Sequence, residues 1–154
     1  MRRLTKRFII KTLENLELSN PLRYERYYIN NTLRTQKKGN CYQKEILDEE
    51  NNLLKKEEIS EEEFHNLKES SYSEIIRDSY LYLKDSRISI KKYLGKYNGL
   101  YRVEVTFTSK EEEKNYQKEN WMGKDITNSP LAFDKDLSKL TEQEFQDELT
   151  KYLN

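Results

Sequence analysis

The first ten residues, MRRLTKRFII (residues 1–10), decide how the rest of the chain is read. In an extended strand, Leu4, Phe8 and Ile10 share one face with Lys6, and Arg3, Thr5 and Arg7 share the other with Ile9. An apolar face backed by a row of cations has two explanations. Either the cations meet water, or they line an interior that holds anions. Other stretches repeat the pattern. LYRVEVTF (100–107) sets Tyr101, Val103, Val105 and Phe107 against Arg102, Glu104 and Thr106. RISIKKYLG (87–95) sets Ile88, Ile90 and Lys92 against Ser89, Lys91 and Tyr93. Arg34 with Gln36, and Arg77 with Ser79, extend the polar row into two further strands. A sheet packed on one face and wet on the other gives this pattern more often, and a closed barrel with a polar interior gives it as well.

The whole chain narrows the classes. Its 154 residues read as a single domain over 1–154, long enough to bury one core. Apolar residues make up 34% and charged residues 36%, with mean hydropathy −1.09, which leans towards disorder. The aromatic content of 12%, mostly tyrosine, argues for packing instead. Twenty-eight cations balance twenty-eight acids, so no global field points to nucleic acid or to a membrane surface. Anion binding must therefore come from local arrangement. No apolar run reaches spanning length and no signal-peptide core is evident, so a cytoplasmic protein is expected. The single Cys41 forms no internal disulfide and no metal cluster.

Turn and cap signals supply the remaining layout. TLRTQKKGNCYQKEIL (32–47) reads as a hairpin turning at Lys38-Gly39-Asn40, and GKYNGL (95–100) joins two later strands. RYERYYI (23–29) and IIRDSYLYL (75–83) are tyrosine-rich strands. Ser60-x-x-Glu63, Ser109-x-x-Glu112 and Thr141-x-x-Glu144 are capping-box starts for helices entering FHNLK, KNYQKEN and FQDELTKYL. Many strands with a few connecting helices predict an α+β domain built on an antiparallel sheet.

The order of these segments, with ISEEEFHNLK, SKEEEKNY and NWMGKDITNSPLAF, resembles the CYTH superfamily of triphosphate tunnel metalloenzymes over nearly the whole chain. The most specific pieces are the strand–Gly–Leu–strand unit ending in RVEVTF, and Trp121-x-Gly123-x-Asp125-x-Thr127. The resemblance implies an eight-stranded antiparallel barrel enclosing a tunnel. Interior basic residues would grip a triphosphate, and interior glutamates would hold magnesium or manganese. Arginine forks and lysine point charges suit phosphate oxygens, and carboxylates suit hard divalent ions.

Against that pattern the chain departs at the acids. The family's Glu-x-Glu-x-Lys falls on Arg3, Thr5 and Arg7; its late Glu-x-Glu falls on Glu104 and Thr106, and an inward Asp falls on Lys91. One like charge at about 4 Å costs on the order of 4 kcal/mol at an effective dielectric of ~20, or roughly three powers of ten in metal affinity. The resemblance, so altered, predicts phosphate binding by Arg3, Arg7, Arg34, Arg77, Lys91 and Arg102, no catalytic metal, and Glu104 as the residual metal candidate. The expected ligand is a phosphate-rich small molecule: a nucleotide, a triphosphate or polyphosphate. Two alternatives stand beside this. Glu45, Glu58, Glu104 and Asp125 could hold magnesium or manganese in a shifted site for triphosphate hydrolysis or cyclisation. Or the tunnel is vestigial, in a structural or interaction module. His65 and the acidic run from Glu57 to Glu63 read as solvated surface, Cys41 as packing, and Trp121 as a core anchor.

Overall fold

The computed structural model describes residues 4–154. Eight strands form one antiparallel sheet: β1 (Thr5–Ile10), β2 (Leu22–Tyr28), β3 (Leu33–Lys38), β4 (Cys41–Leu47), β5 (Leu53–Glu58), β6 (Ser73–Leu81), β7 (Ile88–Leu94) and β8 (Tyr101–Thr106). Their order is β1-β8-β7-β6-β2-β3-β4-β5. The sheet curls into a tunnel without closing its hydrogen-bond ladder, since β1 and β5 stand at opposite ends of that order. The hairpin expected at Gly39 joins β3 to β4, and the residue there takes the left-handed φ of +58° that glycine adopts without strain.

The two faces of β1 have different fates. Phe8 and Ile10 join Ile88, Ile90, Val103, Val105 and Phe107 in a core outside the tunnel, covered by Tyr82, Met122 and Trp121. Trp121 packs on Tyr82 at 5.0 Å between ring centroids, as the anchor expected of it. The opposite face of the same strands is the tunnel wall. At one end of the tunnel, Ile9, Tyr28, Ile75 and Tyr93 form a second core with Leu131, Leu137, Phe145 and Leu149 from the C-terminal segment.

Four helices flank the sheet: α1 (Glu61–Glu69), α2 (Lys110–Asn115), α3 (Asp134–Leu137) and α4 (Glu142–Leu153). Ser60 and Ser109 accept from the amides of Glu63 and Glu112, and Thr141 with Glu144 makes both arms of a capping box. Phe64 of α1 packs on Tyr27 and Tyr42 over the outer face of β2–β4. The second helix is shorter than its sequence predicts. It stops at Asn115 because Tyr116 turns out of helical geometry to lay its ring against Phe107 (5.2 Å) and Phe8 (6.4 Å).

Residues 123–126 add a short ladder to the free edge of β1. Gly123 N–H donates to Ile9 O (2.8 Å), Ile9 N–H to Lys124 O (3.0 Å) and Ile126 N–H to Arg7 O (2.9 Å). A Cβ on Gly123 would lie 2.4 Å from Ile9 O, so the strand can approach this closely only where no side chain stands. Gly123→Ala is expected to cost about 1–3 kcal/mol through forced backbone movement. A denaturant melt that leaves the midpoint unchanged would contradict that close approach.

Candidate functional site

The tunnel wall follows from strand register, because directly opposed residues of an antiparallel pair share a face. Arg7 opposes Glu104, Glu104 opposes Ser89, and Arg102 opposes Lys91. Lys91 opposes Ser79 and Tyr93 opposes Arg77, which in turn opposes Tyr24. Arg26 opposes Gln36, Arg34 opposes Tyr28 and Glu45, and Gln36 opposes Gln43. One polar face therefore runs across seven strands. Arg7, Arg34, Arg77 and Arg102 are all buried on it, and Lys91 is half-buried. Five of the six predicted cations are thus brought together; Arg3 lies outside the described residues.

Three buried carboxylates organise the cations. Asp134, from α3, sits at the hub. Its Oδ2 accepts from Arg26 Nη1 (2.8 Å) and Arg77 Nε (3.0 Å), and its Oδ1 from Tyr93 Oη (2.5 Å) and Arg102 Nη2 (3.1 Å). Glu104 Oε2 accepts two bonds from Arg102, at 2.9 and 3.1 Å, and its Oε1 lies 3.7 Å from Arg7 Nη2. Glu45 accepts from Arg34 Nε at 2.7 Å. Aromatic faces support the guanidiniums: Phe133 under Arg7 (4.2 Å) and Tyr24 under Arg77 (4.4 Å).

Six cations (Arg7, Arg26, Arg34, Arg77, Lys91 and Arg102) share this wall with three carboxylates (Glu45, Glu104 and Asp134). Arg7 Nε and the Lys91 ammonium are among the donors left unspent. Arg7 Nε is buried without a hydrogen-bond partner. Lys91 has no ion pair or hydrogen bond among the described residues.

The imbalance shows in the ionisation of the site. Burial pushes the Glu104 carboxyl up, but Arg102, Lys91, Arg7 and Arg77 together outweigh it and hold it well below the usual carboxylate range. At Asp134 burial is likewise overcome by Arg77, Arg102, Arg26 and the Tyr93 hydroxyl. Lys91 goes the other way. Burial lowers its ammonium to about 7, with Arg77, Arg102 and Arg26 adding repulsion that Glu104 only partly offsets.

A divalent cation does not fit these residues. Glu45, Glu104 and Asp134 each already accept from arginine, and they enter from separate elements. Glu58 is exposed on β5, and Asp125 is exposed beside the outer edge of β1, where its Oδ1 accepts from Thr127 N–H (2.8 Å). The shifted set of Glu45, Glu58, Glu104 and Asp125 is therefore not assembled. Among the described residues, no group of three or more His, Cys, Asp or Glu side chains is placed to hold a metal ion.

The sequence reading missed Asp134, Arg26, Tyr93 and Phe133 as members of the site. Arg26 and Tyr93 were legible from alternation, since they fall two residues from Tyr24 and Lys91 on the same faces. Asp134 and Phe133 lie at the start of α3, a single turn after the last strand that is too short for periodicity to say which way a side chain points.

Two crystal structures share this architecture. The structure of the inorganic triphosphatase NE1496 superposes with a TM-score of 0.73 at 19% identity, over 92% of this chain and 97% of that one. A second structure of NE1496, described as a hypothetical protein, gives 0.72 at 19% identity over 89% and 97%. This chain has the CYTH-type fold. No protein-family model and no curated protein matches it. Within the CYTH-type tunnel, the described wall positions where the resemblance implies acids are occupied here by Thr5, Lys91 and Thr106 beside Glu104, and Arg7 stands where it implies a lysine. Among the described residues, no helix is long and apolar enough to cross a membrane.

Proposed function

We propose that the tunnel binds a phosphate-rich anion, such as a nucleotide, tripolyphosphate or polyphosphate, without a catalytic metal. The observation that carries this reading is the excess of cations on a buried wall, with Arg7 Nε and Lys91 left unspent on either side of Glu104. A phosphate chain would place oxygens against these donors and against outward-facing guanidinium edges, replacing the carboxylates that arginine otherwise requires. The likeness to a protein described as an inorganic triphosphatase supports the choice of phosphate over other anions. Hydrolysis by in-line attack depends on positioned charge, which the family supplies through metal. Among the described residues no three carboxylates are grouped to hold one, which supports binding and not turnover as the function proposed.

Lys91 gives the reading a pH signature. Its ammonium, lowered to about 7, is charged below neutrality and neutral above it, so anion affinity falls as pH rises through 7. The ligand's own titration is removed by comparison with Lys91→Met. The ratio of parent to variant affinity for tripolyphosphate should be largest at pH 6 and approach one by pH 9. A ratio that does not change with pH would place Lys91 outside the anion site.

The test of the proposal is protection of the folded state. Tripolyphosphate in EDTA should raise the melting temperature with the logarithm of its concentration once that exceeds the dissociation constant, and equimolar sulfate should do so far less. A second reading is favoured by the hub at Asp134, where Arg26, Arg77 and Arg102 already share an internal anion. In that case the network is purely structural, and neither anion shifts the melt beyond the effect of ionic strength.

A further inference from the structure

Among the described residues, the strand β5 ends the sheet order and pairs with β4 alone. Its side chains are exposed on both faces, with Leu53 at 47% and Leu54 at 63%. Lys56 and Glu58 are on the tunnel face, because Lys56 opposes Glu45 and Glu58 opposes Gln43; beyond them the register shifts between Ile46 and Leu47, so that Leu53 opposes Leu47. On a closed tunnel those positions would be buried, as Glu45 and Gln43 are. The wall is therefore open at this edge, and its backbone is accessible.

We infer that this edge pairs antiparallel with the same edge of a second copy, in a register centred on Lys56. The direction of the free backbone groups sets the parity. Ile59 N–H donates to Tyr42 O at 3.0 Å. In an antiparallel ladder these bonds alternate, so from Lys55 to Ile59 the odd residues turn inward to β4, and Lys56 and Glu58 present their N–H and C=O to the outer edge. A twofold axis normal to the sheet keeps each face on its own side, so opposed residues must both be even or both odd. Centring on Lys56 makes a hydrogen-bonded pair of Lys56 with Lys56 across the axis.

The outer face is then complementary at its charged positions. Lys55 opposes Glu57 of the second copy, and Glu57 opposes its Lys55. On the tunnel face, each Lys56 lies diagonally beside the other copy's Glu58, and Glu45 of its own copy is 3.9 Å away. The sequence LLKKEEI (53–59) therefore carries both halves of a self-recognising edge. Edge strands more often use lysine to repel such pairing. Here each outer-face lysine meets a glutamate instead, which turns the edge charges from a guard into a match. An interface of one short strand is small, so the dimer is weak and concentration-dependent. The inference does not depend on what the tunnel binds.

Sedimentation velocity across micromolar to millimolar protein tests it. The parent should pass from monomer to dimer in that range. Lys56→Pro removes a donor that points to the free edge and not to β4, and should abolish the dimer while circular dichroism stays unchanged. Lys55→Glu sets two glutamate pairs face to face, and Glu57→Lys sets two lysine pairs. Each alone should dimerise roughly tenfold or more weakly than the parent. Mixed together, they restore opposite charges at every outer-face pair and should form a heterodimer about as tight as the parent. A parent that stays monomeric at millimolar concentration would overturn the inference. So would a dimer indifferent to Lys56→Pro, or a mixture no tighter than its components.

Discussion

Asp134→Asn is expected to lower stability by about 3–5 kcal/mol and to raise tripolyphosphate affinity by roughly tenfold or more. Asp134 is buried and takes hydrogen bonds from Arg26, Arg77, Arg102 and Tyr93. Asparagine keeps the shape and one acceptor but removes the charge that three guanidiniums surround. Their mutual repulsion is then uncompensated in a low-dielectric site, which is the costly way to break a buried ion network. The same loss removes an anion that repels an incoming phosphate. Added tripolyphosphate should accordingly raise the melting temperature of the variant more than that of the parent. Denaturant melts with and without ligand read both effects. A variant as stable as the parent, with unchanged affinity, would mean that Asp134 does not organise the wall.

The second large effect belongs to Arg102→Met. Arg102 is 3% exposed; it binds Glu104 twice, reaches Asp134 and donates from Nη1 to Leu131 O at 3.1 Å. Methionine fills part of the volume but leaves two buried carboxylates short of their partner, at about 3–5 kcal/mol near neutral pH. The pH dependence carries the sign. In the parent, Glu104 and Asp134 are held below the unfolded carboxylate range. Their contribution is fully present above about pH 4, the ordinary carboxylate value, and is lost as pH falls through the lower folded values. In the variant that depression is smaller, so less stability is left to lose. The gap between parent and variant should therefore narrow as the pH drops from 6 towards 3. A gap that stays constant would assign the loss to packing and not to charge.

Strand alternation made the wall readable in advance. Arg7, Arg77 and Arg102 could be placed because each sits in a strand whose other face carries Ile, Val or Phe, and a period of two admits no intermediate direction; Arg34 could be placed by its shared face with Gln36. Periodicity alone could not say whether the polar face was wet or enclosed. The order of segments decided that, and the curled sheet agrees with it. Asp134 was not readable for a physical reason. Its direction is set by the turn Pro130–Ala132 and by the burial of Leu131 and Leu137, which are tertiary facts. Its absence from the sequence reading also made the tunnel look more cationic than it is. The early end of the second helix belongs to the same class, because the packing of Tyr116 on Phe107 overrides a helical run of Lys, Glu and Asn.

The central claim is an anion site that works without metal, and titration calorimetry with tripolyphosphate in EDTA reaches it most directly. Saturable binding that is unchanged when manganese replaces EDTA, and weakened by Lys91→Met below pH 7, is the predicted result. No heat of binding at millimolar tripolyphosphate in EDTA, or binding that appears only when manganese is added, would contradict it.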